Sequence, residues 1–157
     1  MAFSGEFSTA WMLPTPFDSR LTLLGRFTNG VVEESFIRAF LPINGDLQGN
    51  ILKTKLSGIS LVSLDYLARL RPDLSAGFTG SCFLRSDLGT YTSYPVSSSA
   101  EGGYVMGTEF FGRLVWSPFS DLQLNLGTGI FLPSLGNTAP EADPLWMLEL
   151  NLIVSLY

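Results

Sequence analysis

The chain contains no histidine and a single cysteine, Cys82. A lone thiol forms no internal disulfide, and zinc or iron sites built from imidazole and thiolate are excluded. Ser-His-Asp and Cys-His nucleophilic arrangements are excluded with them. Charge is scarce too: 9 basic and 14 acidic side chains amount to 15% of 157 residues, where a soluble domain carries about 25%. The balance of −5 argues against nucleic acid, whose recognition needs a basic footprint. No uncharged apolar run reaches the roughly 18 residues of a spanning helix, and Ser, Gly, Thr and Asn interrupt the longest ones. The opening Met1-Ala2-Phe3-Ser4-Gly5-Glu6 has neither the basic start nor the apolar core of a signal peptide. An exported protein needs one, so a mature form, a trimmed form or a fragment of a longer protein is expected.

What the chain does have is apolar surface, 46% hydrophobic and 13% aromatic, arranged with a period of two. Trp146, Leu148, Leu150, Leu152, Val154 and Leu156 alternate with Met147, Glu149, Asn151, Ile153 and Ser155. The same alternation runs through residues 122–132, 109–116, 74–85, 62–70, 20–27 and 3–13. Such alternation marks strands with two unlike faces. The segments are about 10 to 13 residues long, enough for a tilted strand to cross a bilayer. In lipid only helices and closed barrels satisfy every backbone group, so the predicted fold is an all-β, antiparallel up-and-down transmembrane β-barrel in one domain, residues 1–157. A soluble sandwich or lipocalin-like barrel shares the alternation but turns its polar face to water. Two features favour the membrane: the polar faces are poor in Lys and rich in Ser, Thr, Gly and Asn, and Trp11, Tyr66, Trp116, Trp146 and Tyr157 sit near strand ends, where aromatic girdles lie.

Three connections are tight and rich in Pro, Asp and Ser: Pro14–Asp18, Arg71-Pro72-Asp73 and Ser117–Asp121. They predict short turns on one side of the barrel. Residues 86–105 and 133–144 are longer and polar, as external loops are. The stretch from Asn29 to Lys55 has two readings. With Ser35 to Leu41 as a strand turning back at Asn44-Gly45-Asp46, the barrel has about eight strands, the preferred count. With the whole stretch as a loop, all three Pro-Asp turns share a side and seven strands remain. Because single-chain bacterial barrels have even strand numbers, that alternative makes the chain the C-terminal part of a larger barrel.

On this register Glu6, Arg20, Arg26, Asp65, Arg69, Arg85, Glu109, Arg113 and Glu149 all point into the lumen. An arginine facing lipid at mid-depth would cost about 2–4 kcal/mol, so their shared parity supports the register. They predict either a selectivity ring in a pore or Arg–Glu pairs that fill a narrow barrel, the favoured reading for eight strands. Phe83, Phe111 and Phe131 point inward as packing, and Cys82 falls on the lipid face as a small filler. No catalytic constellation is visible: the carboxylates are scattered over different strands, and Gly127-Thr128-Gly129 is followed by no Lys-Ser/Thr of a phosphate loop. No enzyme activity, cofactor or metal is expected.

The C-terminal half resembles bacterial outer-membrane barrels as a class. Tyr157, an aromatic last residue after alternating apolar positions, looks like the signal read by the barrel-assembly machinery, although the strict apolar register falls on Leu156. Residues 107–135, under a fifth of the chain, also resemble the last strands of alginate-export-type porins through Gly107-Thr108-Glu109, Pro118, Asp121-Leu122, Gly127, Gly129 and Phe131-Leu132-Pro133. These resemblances imply a Gram-negative outer membrane, the lipid bilayer and the assembly machinery as partners, and porin-like passage of small polar solutes. The alternative is a small structural or interaction barrel, its lumen plugged, that acts through its external loops.

Overall fold

The computed structural model describes residues 3–33, 36–39, 47–55, 58–86, 104–133 and 143–155. The strands among them are β1 (Ser4–Leu13), β2 (Ser19–Thr28), β3 (Gly30–Glu33), β4 (Phe36–Ala39), β5 (Leu47–Gln48), β6 (Thr54–Lys55), β7 (Ile59–Arg71), β8 (Leu74–Arg85), β9 (Val105–Phe119), β10 (Leu122–Leu132) and β11 (Leu145–Val154). Seven of them form one antiparallel up-and-down sheet in the order β1-β2-β7-β8-β9-β10-β11. The period-two alternation sets its register. Leu124, Leu126, Thr128 and Ile130 of β10 stand opposite Leu152, Leu150, Leu148 and Trp146 of β11, while Asn125 and Gly127 stand opposite Asn151 and Glu149. A slip of one residue would exchange the two faces.

The expected eighth strand does not enter this sheet. Phe36–Ala39 pairs with Gly30–Glu33 in a separate two-stranded hairpin, and a second small hairpin joins Leu47–Gln48 to Thr54–Lys55. A four-residue strand rises only about 13 Å, half of the roughly 25 Å apolar band that a membrane strand must cross. Asn29 ends β2 against β1: its backbone N–H donates to the Phe3 carbonyl at 3.1 Å, and its Oδ1 accepts from the Phe3 N–H at 2.7 Å. The sheet is also open, with β1 and β11 each lacking a second neighbour among the described residues. The eight-strand closed barrel is thus replaced by an open sheet of seven strands.

All three short turns lie at one end of the sheet and all three long connections at the other, the arrangement of the seven-strand alternative. Asp18 takes a left-handed φ of 44°, which Asp tolerates better than most residues. Pro72-Asp73 alone links β7 to β8. The third turn is shorter than expected: β9 continues through Pro118 to Phe119, leaving only Ser120-Asp121, and the register shifts between Leu122 and Leu124 take up the misfit. The external-loop assignments for residues 86–105 and 133–144 fall mostly outside the described residues, as do Leu156 and Tyr157.

Ile59, Leu61, Phe83, Met106 and Phe131 form the buried cluster, with Ile51, Leu52 and Leu145 packed against it. A bulge shapes this core. Phe83 pairs with Gly107 but Leu84 pairs with Val105, so Met106 is the extra residue. Gly107 adopts φ +150°, and a Cβ there would stand 2.6 Å from the Phe131 ring. Only glycine lets Phe131 lie against that backbone.

Candidate functional site: the charged face of the sheet

Directly opposed residues of an antiparallel pair share a face. The register therefore carries one face across all seven strands. Glu6 is opposite Arg26, and Met12 opposite Arg20. Thr22 is opposite Asp65, Arg69 opposite Ser75 and Ile59 opposite Arg85. Ser81 meets Glu109 and Gly77 meets Arg113. Gly127 then connects Arg113 to Glu149. All nine charged residues singled out from the sequence lie on this face, together with Phe83, Phe111 and Phe131. Cys82, opposite Val62 and Thr108, lies on the other. That other face carries no Asp, Glu, Lys or Arg within the seven strands except Arg71 at the end of β7.

The charges are held in local groups rather than one network. The Arg26 Nε donates to Glu6 Oε2 at 2.7 Å, and its NH1 donates to Gln48 Oε1 at 2.6 Å. Arg113 NH2 stands 3.2 Å from Asp65 Oδ2, which also accepts from Thr79 Oγ1 at 2.7 Å. Arg69 NH2 donates to the Pro72 carbonyl at 3.1 Å near the turn end. Glu149 accepts from Asn151 on the edge strand. Arg20 shares the cross-strand row of Arg113 and Glu149, and Arg85 is 2% exposed near the long-connection end.

Glu109 departs most from the expected Arg–Glu pairing. Its carboxylate is fully buried and takes backbone amides instead. The Asn50 N–H donates to Oε1 at 2.7 Å. The Ile51 and Leu52 N–H groups donate to Oε2 at 2.9 and 3.1 Å, and Asn50 Nδ2 adds a 3.3 Å contact to Oε1. Three consecutive amides make a concave donor set that suits an anion, and bonds to an ionised acceptor are about twice as strong as neutral ones. Gly49 fits the bend with φ +82°, where a Cβ would stand 2.6 Å from Phe83 Cζ and 3.0 Å from Glu109 Oε2. Ile51 reaches β10, its Cδ1 3.0 Å from the Cβ position of Gly129. The segment from Gln48 to Thr54 therefore lies on the charged face and covers part of it. Sequence reasoning missed Gln48, Asn50 and this coverage; the Gly49-Asn50 pair signals a turn but not where the turn docks.

The face thus has two regions. Towards the long connections it is sealed by the buried cluster and by residues 48–54. Towards the turns it is polar and partly accessible, with Asp65, Arg69, Arg113, Asn125 and Glu149. Among the described residues no group of three or more His, Cys, Asp or Glu could hold a metal ion. The arrangement can bind and exclude polar groups. No protein family, curated protein or solved structure matches the chain.

Proposed function

We propose that the chain is a seven-stranded wall of a bacterial outer-membrane β-barrel, with its charged face lining a passage for small polar solutes. The opposite face carries this reading. It runs across seven strands without a charge until Arg71, and most of it is left uncovered: Trp146 is 78% exposed, Leu148 and Leu150 65%, and Phe78 51%, with burial at Ser19 and Ala68 near the first turn. Soluble monomers rarely expose so continuous an apolar surface, whereas lipid covers it at no cost. Trp11 and Trp116 lie towards the turn end and Trp146 towards the other, where interfacial girdles would sit. The likeness of residues 107–135 to alginate-export-type porins is in keeping with a transport role, and the barrel-assembly machinery would be the partner that inserts it.

Strand direction adds a condition. With seven strands alternating in direction, β1 and β11 run the same way. An antiparallel closure then takes an odd number of further strands between them, which makes an even total, as in bacterial single-chain barrels. An inverted second copy would satisfy the hydrogen bonds but would put its long connections on the wrong side of the membrane. Further polypeptide of the same barrel is the better fit.

The test uses the full native polypeptide, purified in detergent and reconstituted into planar bilayers and solute-loaded liposomes. Resistance to carbonate extraction, ion conductance and sugar efflux are the expected results. A monodisperse protein in detergent-free buffer would overturn the membrane assignment. The second reading, a plugged barrel acting through external loops, is favoured by the cover that residues 48–54 place on the inner face. It predicts firm membrane integration with neither conductance nor efflux.

A further inference from the structure

Besides its wall of strands, the molecule places the small hairpin of residues 48–54 across its charged face, and that segment is tied down at three points. At one end Arg26 grips Gln48 Oε1 at 2.6 Å while also pairing with Glu6. In the middle the buried Glu109 carboxylate gathers the amides of Asn50, Ile51 and Leu52 within 3.1 Å. Beyond it Ile51 and Leu52 pack on the cluster around Phe83 and Phe131. A loop that merely connected β2 to β7 at the rim would not need a fully buried carboxylate, because water would satisfy its amides. Burying an ionised group is costly unless it is fully hydrogen-bonded. Here the donors come from the segment itself, so the Glu109 carboxyl and the docked segment stabilise one another.

We infer that Gln48–Thr54 is the element that sets the bore of the passage, and that Glu109 is its positioning residue. The inference rests on the passage proposed above and identifies what limits the size of solute it admits. Phe83, Phe131 and the docked Ile51 close the inner face on this side, while the accessible polar lane past Asp65 and Arg113 remains for solute. The size limit is then a property of the docked segment, and the nearby charges select among what fits.

Two variants separate positioning from simple charge. Glu109→Ala removes the acceptor and one negative charge. Gly49→Ala keeps every charge but places a methyl group against Phe83 and Glu109 at a left-handed φ. Both are made in the full native polypeptide with Cys82→Ala and Ile51→Cys, so that a water-soluble thiol reagent reports release of the segment. Each charge-assisted hydrogen bond lost shifts the open–closed balance by about ten-fold or more. The Ile51→Cys labelling rate is therefore expected to rise at least about ten-fold in both variants. Single-channel conductance and the size of sugar admitted should rise with it, and Glu109→Asp, one methylene shorter, should fall between. Conductance altered in Glu109→Ala but not in Gly49→Ala would show that charge alone acts, and would overturn the inference. Faster labelling with unchanged conductance and sugar limit would overturn it too, since the segment would then not set the bore. Membrane-integrated parent protein that passes neither ions nor sugars would instead defeat the passage itself, and the labelling rates would still report whether Glu109 holds the segment.

Discussion

Arg113 lies flat across Gly77, and the glycine makes the contact with Asp65 possible. A Cβ at position 77 would stand 2.6 Å from Arg113 Nε and 3.1 Å from its Cγ. Gly77→Ala should lift the guanidinium off Asp65. The arginine side chain is 44% exposed, so the stability cost of losing this pair is small, about 1 kcal/mol or less. The sharper readout is a double-mutant cycle between Arg113→Ala and Asp65→Asn by urea unfolding in micelles, whose coupling should vanish in the Gly77→Ala background. Phe131 is the opposite case. It is fully buried, edge-on to Phe83 at 6.0 Å between centroids, and seated over Gly107. Phe131→Ala should cost about 3–5 kcal/mol in the same assay. A loss under 1 kcal/mol would mean that the cluster is not a packed core.

Adjacent residues of β10 offer a direct comparison of the two faces. Leu126 is 38% exposed on the uncharged face, and Asn125 faces Asn151 on the charged one. Arginine at position 126 should lower folding stability in bilayers by about 2–4 kcal/mol, whereas arginine at 125 should change it by less than about 1. Equal penalties would mean that lipid does not meet the Leu126 side. This face assignment was legible beforehand because period two is a property of each strand alone, and all nine charges fell on the predicted parity. Strand number was not. Ser35 to Leu41 has the length and apolar content of a strand, and nothing local distinguishes a sheet member from a short side hairpin. Ser117 to Asp121 reads as a turn in the sequence, although near a strand end the sheet tolerates the missing N–H of Pro118. Glu109 shares a face with the other charges as its parity predicts, but its partners are not foreseeable. They are backbone amides 57 to 59 residues away, and backbone leaves no signature in side-chain patterning.

For the molecule as a whole, the two open edges make the most exacting prediction. If further strands stand between β1 and β11, cysteines placed at Thr9 and Leu150 in a Cys82→Ala form of the full native polypeptide should not form a disulfide under mild oxidation. A bridged monomer would show that the seven strands seal directly, in a parallel seam, and would remove the need for further polypeptide.

The odd strand count also has a consequence for sidedness. Phe3 leads into β1 at the end that holds the long connections, and Ser155 leaves β11 at the end that holds the short turns, its N–H bonded to the Asp121 carbonyl at 2.9 Å. In the membrane proposed above, the wall would thus be entered from one side and left on the other. An epitope placed just before Phe3 should be stained on intact cells, while one placed just after Ser155 should be seen only once the envelope is permeabilised. Such staining would make the sheet a one-way crossing whose two flanks report to different compartments; equal staining of both epitopes would remove that reading.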